Sequence, residues 1–392
     1  MESLIYLDNA ATSWPKPEAV YQAMENFMRH AGASPGRSGH RLSIEAGRVV
    51  YEAREILARL FNIDDPLRII FTKNATEALN LVTRGVLRPG EHVITSSMEH
   101  NSVMRPLRAL EEGGVELTVV GCSAEGFLDP QDLENAIKPN TRLIILTHAS
   151  NVVGTLLPVA EIGFIARRHK VLFCVDAAQT AGAYPIDMKA MNIDLLAFAG
   201  HKSLFGPPGT GGLCIAKGGE DVLDPMIRGG TGSHSESEYQ PSFLPDKYES
   251  GTPNTVGLAG LTAGVQFVLS RGVDNLRIIE EKLTRDLIEG IQSIPNVALY
   301  GSGDVRKQVA VLSINIAGLS ASEVAMHLDE DYDIMCRPGL QCAPLAHKTL
   351  GTYPSGTVRL SPGHFTTEDN IQTTLEAIAK IAVGVELGGS NG

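Results

Sequence analysis

The sequence predicts an α/β protein: a large domain with a mostly parallel sheet covered by helices, followed by a smaller α+β domain. Three observations carry this expectation. Between about residues 40 and 218, short apolar runs alternate with helical stretches, which is the pattern of βαβ units. After about residue 260 a long amphipathic helix is followed by a run that alternates like a strand. The 392 residues also exceed the usual size of one hydrophobic core. We therefore expect a large domain over 16–262 and a small one built from 1–15 and 263–392.

The elements follow in order. "RLSIEAGRVVYEAREILARLF" has helical spacing, with Ile44, Val50, Ala53, Leu57 and Leu60 on one side. "RIIFT" reads as a short strand and "ATEALNLVTRGVL" as a helix. "HVITSS" is a strand, and "SVMRPLRALEEGG" a helix stopped by glycine. "VELTVV", "RLIILTHA", "VLFCVDAA" and "DLLAFAG" are further strands, separated by helical stretches such as "VAEIGFIARRHK". In the second domain, "NLRIIEEKLTRDLIEGIQSI" places Leu276, Ile279, Leu283, Leu287 and Ile291 at three- and four-residue steps. "AVLSINI" alternates, and Ser320 with Glu323 forms a capping box at the start of "SASEVAMHL".

Composition narrows the function. The chain is 43% hydrophobic and 20% charged, an ordinary globular balance. A net charge of -12 argues against a nucleic-acid or anionic-membrane surface. No segment approaches the ~18–20 consecutive apolar residues of a membrane span. The start "MESLIYLDNAATSW" lacks a basic stretch followed by an apolar one, so the expected location is cytoplasmic. Five widely spaced cysteines, without a C-x-x-C pair, suggest neither a disulfide framework nor a metal knuckle. Cys174 and Cys214 lie in apolar runs and read as buried, whereas Cys342 sits among Gly, Pro and Gln in a loop.

In open parallel sheets, ligands bind beyond the carboxyl ends of strands. After "RIIFT" come Asn74, Ala75 and Thr76 at a helix start, either a phosphate cradle or a plain cap. After "HVITSS" come Glu99 and His100, and after "RLIILTHA" comes Asn151. "VLFCV" leads into Asp176, with Gln179 one turn on, and "DLLAFAG" leads into His201 and Lys202. Singly, each residue could be a cap or a structural side chain. Together they offer a phosphate cradle, an imidazole, a carboxylate and a lysine, the set that pyridoxal 5′-phosphate requires.

The chain resembles the cysteine desulfurases of the class V aminotransferase family, fold-type-I pyridoxal-phosphate enzymes. The resemblance is carried by "YLDNAAT" (6–12), "NATEALNL" (74–81), "MEHN" (98–101), "HASNVVG" (148–154), "VDAAQTAG" (175–182), "AGHKSLFGPPGTGGL" (199–213), "YESGTPNT" (248–255), "RPGLQC" (337–342) and "VRLSPGHFTTED" (358–369). It implies that Lys202 forms the Schiff base with the cofactor and that His100 stacks on its ring. Asp176 would pair with the ring nitrogen, and Gln179 would hydrogen-bond the ring oxygen. Asn151 would lie near substrate and ring, while Ala75, Thr76 and His201 would hold the phosphate. Thr252 would reach the phosphate of the other subunit, which implies a homodimer. Arg359 would bind the substrate carboxylate, and Cys342 would be the nucleophile. Ala199 departs from the pattern, because many relatives carry a phosphate-binding serine there. The short segment around Cys342 resembles the branch that includes selenocysteine lyases.

The reaction so implied converts L-cysteine to L-alanine, leaves a persulfide on Cys342 and passes the sulfur to an acceptor protein. Arg337 and His347, near Cys342 in sequence, are candidates to help ionise the thiol. The alternatives are a selenocysteine lyase acting on L-selenocysteine, or a class V transaminase, epimerase or C–S lyase that does not need Cys342. A phosphate-binding P-loop is excluded by spacing: the glycines follow Lys202 instead of preceding it.

Overall fold

The computed structural model describes residues 4–36 and 39–389. The chain opens with strand β1 (Ile5–Tyr6) and helices α1 (Glu18–His30) and α2 (Arg41–Phe61). Strand β2 (Ile69–Thr72) leads into α3 (Ala75–Val86), and β3 (His92–Ser96) into α4 (Asn101–Glu112). Next come β4 (Glu116–Val120), α5 (Pro130–Asn135), β5 (Thr141–Thr147), α6 (Val159–His169) and β6 (Leu172–Asp176). Strands β7 (Leu195–Ala199) and β8 (Gly211–Ile215) complete this sheet, and helices α7 (Thr255–Arg271) and α8 (Val273–Gln292) follow. The rest of the chain supplies β9 (Val297–Tyr300), β10 (Leu312–Ile316), α9 (Ala321–Tyr332), β11 (Ile334–Met335) and β12 (Arg337–Gly339). It ends with α10 (Pro344–Thr349), β13 (Thr357–Leu360) and α11 (Glu368–Gly389).

The seven-stranded sheet has the order β2-β8-β7-β6-β5-β3-β4. Only β8 runs against the others, pairing antiparallel with both β2 and β7. The carboxyl ends of β2, β3, β5, β6 and β7 therefore lie along one edge. Strands β3 and β7 are buried along their whole length, β7 as a continuous apolar run and β3 with His92, Thr95 and Ser96 among its residues. A four-stranded antiparallel sheet, β12-β13-β10-β9, has its own core with Leu283, Leu287 and Ile291 of α8 packed against it. The first segment joins this second core: β1 pairs with β11, and Ile5 and Leu7 are buried there.

Each expected strand and helix is present, as is the capping box of Ser320 and Glu323. Cys174 and Cys214 are fully buried. Two side chains depart from the expected stripes, with Ile44 52% and Ile279 40% exposed. At 3.6 residues per turn Ile44 lies about 140° round α2 from the buried Leu57, so it faces away from the sheet. Ile279 lies at the edge of the buried stripe of α8. Among the described residues, no single helix is long and apolar enough to cross a membrane.

Helix α7 gave no periodic signal because it is buried nearly all round. Gly260 lets it approach Met24 of α1 and Pro207, where a Cβ would meet Met24 Cγ at 2.8 Å. The loop after Lys202 is close-packed in the same way. A Cβ on Gly211 would lie 2.7 Å from Asn74 Cα, so this glycine brings β8 against the turn that starts α3.

Candidate active site

The sheet edge gathers the residues singled out in the sequence. Asp176 is the last residue of β6 and is buried; its carboxylate accepts a hydrogen bond from the Ala178 amide at 2.9 Å. Burial raises its pKa, and no ion pair reaches it among the described residues. Lys202 stands just past the end of neighbouring β7. Burial, then Arg359, bring its amine down to about 8, with Asp176 opposing. The N-terminal segment clamps this turn. Ser13 Oγ donates to Lys202 O at 2.9 Å, and Thr12 Oγ1 and Lys16 Nζ donate to His201 O at 3.0 and 2.8 Å.

His100 is the N-cap of α4, just beyond β3, and its Nδ1 accepts from the Ser102 amide at 3.0 Å. The ring proton therefore sits on Nε2. Burial and the nearby Lys202 lower its pKa to about 4, so the ring is neutral. Beside it the Glu99 carboxyl is fully buried between the ends of β3 and β5. It accepts from Ser96 Oγ at 2.6 Å and from the Thr147 amide at 2.9 Å. Burial pushes it up to about 8. Glu99 thus ties two strand ends together behind His100.

Helix α3 begins where β2 ends. Asn74 caps the Glu77 amide at 2.9 Å. The amides of Ala75 and Thr76, in the first turn, have no intrahelical acceptor. His201 has a buried Nδ1 without a partner among the described residues, and burial lowers its pKa to about 4. Thr252 is exposed and lines a cavity of about 670 Å³ with Thr72, Lys73, Glu77 and Thr210. Gln179 donates from Nε2 to Ala10 O at 3.2 Å.

These residues fit pyridoxal 5′-phosphate on three counts. First-turn amides and an orphaned buried imidazole nitrogen await an anion. A buried carboxylate lacks a cation, which a protonated ring nitrogen would supply. Among the described residues, the recessed lysine amine has no hydrogen bond or ion pair to release before it reacts with an aldehyde. At Ala199, the position where the resemblance led to the expectation of a serine, the strand partner is Gly211, so this pair of positions offers no side-chain donor.

The other sheet brings its residues to the same place. Arg359, on β13, is 1% exposed. It donates to Asp8 Oδ1 at 2.6 Å and to Asn151 O at 3.0 Å, and its buried Nε has no partner among the described residues. Asp8 was not singled out from the sequence, although it lies within "YLDNAAT". Asn151 donates from Nδ2 to Gln341 O at 2.7 Å. The Asn101 amide, next to His100, donates to Cys342 O at 2.8 Å. The Cys342 thiol is exposed, and Arg337 Nη2 donates to its sulfur at 3.7 Å. Of the two candidates to ionise that thiol, Arg337 is at hand. His347 is fully buried and faces Gln341 and Thr352 instead of the sulfur.

Comparison with known proteins agrees with this geometry. The aminotransferase class-V family model matches residues 5–374. A probable cysteine desulfurase of Methanothermobacter thermautotrophicus is 37% identical, over 96% of this chain and 94% of that protein. One from Pyrococcus abyssi is 35% identical, over 97% and 94%. The solved apo structure of a cysteine desulfurase from Thermococcus onnurineus superposes with a TM-score of 0.92 at 35% identity, covering 98% of this chain and 96% of that one. An Escherichia coli cysteine desulfurase in an S-sulfonic acid form gives a TM-score of 0.88 at 27% identity, covering 98% and 96%.

Proposed function

The chain belongs to the aminotransferase class-V family, and from that premise we propose that Lys202 holds the cofactor while Cys342 takes the sulfur of L-cysteine. The family and its relatives, matched along nearly the whole chain, make it a pyridoxal-phosphate-dependent cysteine desulfurase. The observation that carries the residue assignment is the convergence of two sheets. Lys202 and Asp176 come from one, Arg359 from the other, and Cys342 from the loop after β12, whose carbonyl is tied to the residue after His100.

When bound, the cofactor supplies an electron sink that stabilises negative charge at the substrate Cα. The rest falls to side chains. The Ala75 and Thr76 amides and His201 Nδ1 would hold the phosphate, Asp176 would keep the ring nitrogen protonated, and neutral His100 would lie against the ring. Gln179 serves the ring oxygen with its second amide hydrogen. Arg359 takes the substrate carboxylate through Nε and its remaining hydrogens, with Asn151 alongside. The Lys202 amine moves the proton at Cα, for which a pKa near 8 suits neutral pH. The Cys342 thiolate attacks the substrate sulfur as the C–S bond breaks. In sum, L-cysteine and the thiol become L-alanine and a Cys342 persulfide. A thiol reductant or an acceptor protein then takes the outer sulfur.

We also assign a homodimer, in which Thr252 serves the partner's phosphate. Exposed Tyr51 and Ile227 line the cavity beside Thr252, an apolar surface suited to cover by a second copy. All five cysteines are free, in keeping with a reducing cytoplasm.

The deciding experiment incubates the pyridoxal-phosphate-loaded protein with L-cysteine and a thiol reductant. It should release alanine and sulfide in equal amounts; a coloured protein that leaves L-cysteine untouched sinks the proposal. Arg359 has its own test. Arg359→Lys keeps the charge but loses the planar fork. We expect kcat/KM for L-cysteine to fall about 10²- to 10³-fold, mostly through KM, from two lost charge-assisted hydrogen bonds. An unchanged KM would remove Arg359 from substrate binding.

A further inference from the structure

The Cys342 turn has an unusual backbone. Gln341 and Cys342 both take left-handed conformations, with φ of 41° and 59°, and neither is glycine. Such a pair persists only where its surroundings impose it. Two restraints act on the backbone: Asn151 Nδ2 holds Gln341 O, and the Asn101 amide holds Cys342 O.

A third restraint runs through side chains. Gln341 is 3% exposed, and its Nε2 lies 3.2 Å from Arg337 O and 2.9 Å from Thr357 O. Carbonyl oxygens only accept, so the amino end of the amide faces them and Oε1 faces the other way. There Oε1 meets His347 Nε2 at 2.8 Å, so Nε2 must carry the imidazole proton. His347 Nδ1 is then an acceptor, and Thr352 Oγ1 donates to it at 2.7 Å. Every donor in the chain Thr352–His347–Gln341 thus points one way. Burial, which lowers the His347 pKa to about 4, keeps the ring neutral and this order intact.

We propose that His347 is a positioning residue: its Nε2–H locks the Gln341 amide, and the locked amide holds the Cys342 thiol against Arg337, aimed for sulfur transfer. This rests on the reading of Cys342 as the sulfur acceptor. His347 is fully buried with its ring nitrogens on Thr352 and Gln341, and Lys202, Asp176 and Arg359 lie outside this chain of hydrogen bonds.

The test compares His347→Leu, His347→Gln and Gln341→Leu in the cofactor-loaded enzyme. A glutamine at 347 can present an N–H donor where Nε2 stands; leucine cannot. We expect kcat for alanine formation to fall about ten- to a hundredfold in both leucine variants, because a thiol out of line loses its near-attack geometry. KM and the visible absorption of the cofactor should hold, the latter also reporting that the variants fold. His347→Gln should recover most of kcat. Alkylation of Cys342 by iodoacetamide, followed by peptide mapping, gives a readout without turnover. Its rate should shift at least about threefold in the leucine variants and return toward wild type in His347→Gln. Wild-type kcat and alkylation in both leucine variants, or a glutamine variant as impaired as His347→Leu, overturns the proposal. Should the wild type fail to act on L-cysteine, the functional reading falls while the alkylation comparison still decides this one.

Discussion

Cys342→Ala should abolish sulfide release from L-cysteine, by on the order of 10³-fold or more, while the cofactor's visible absorption survives. The size follows from the role assigned. A covalent acceptor of sulfur has no substitute at its position, because the other four cysteines are buried or half-buried. Its loss should not disturb the fold, since the thiol is exposed and its contact in the site is Arg337 Nη2 at 3.7 Å. The backbone supplies a second signature. Cys342 sits at φ 59°, where an L side chain carries strain and glycine does not. Cys342→Gly should therefore be as inactive as the alanine variant yet more stable, by about 1 kcal/mol, in thermal or urea unfolding. An alanine variant that forms alanine and sulfide at the wild-type rate would remove Cys342 from the chemistry.

Much of the fold was legible because parallel strands buried on both faces leave an unbroken apolar run. β5, β6 and β7 do so, whereas the equally buried β3 carries His92, Thr95 and Ser96 beside Val93 and Ile94; the chemistry-bearing residues come at or just past these strand ends. That geometry is why Asp176, His100 and Lys202 could be picked out by position. Helix α7 was not legible: glycines and alanines buried nearly all round carry no period for a sequence reader to find.

The site was legible where a residue's neighbours in sequence are its neighbours in space. Asp8 is 351 residues from Arg359, and the clamp of Ser13 on the Lys202 carbonyl spans 189. Contacts of that kind follow from β1 pairing with β11, a two-residue ladder too short to read locally. His347 shows the opposite error. Five residues from Cys342, it invited a role in ionising the thiol, but α10 turns its ring inward onto Gln341. Closeness in sequence placed it correctly, and the direction of the side chain changed its job.

Lys202→Ala should lower turnover by about 10⁴-fold or more, because it removes both the covalent tether and the base at Cα. Cofactor binding should weaken without vanishing. The α3 amides, His201 Nδ1 and Asp176 are still present to hold phosphate and ring. Borohydride should fix pyridoxal phosphate covalently to the wild type and leave it removable from the variant. The pKa adds a sharper requirement. Only the neutral amine reacts with an aldehyde, and burial lowers Lys202 to about 8 from an ordinary 10.5. At pH 7 roughly a tenth of the amine is then neutral, instead of a few parts in ten thousand. The rate at which cofactor-free wild type takes up pyridoxal phosphate covalently should thus rise with pH and level off above about 8. A rate still climbing tenfold per pH unit at pH 9 would show that the amine keeps its ordinary basicity, and Asp176 would then be offsetting the burial that the site imposes.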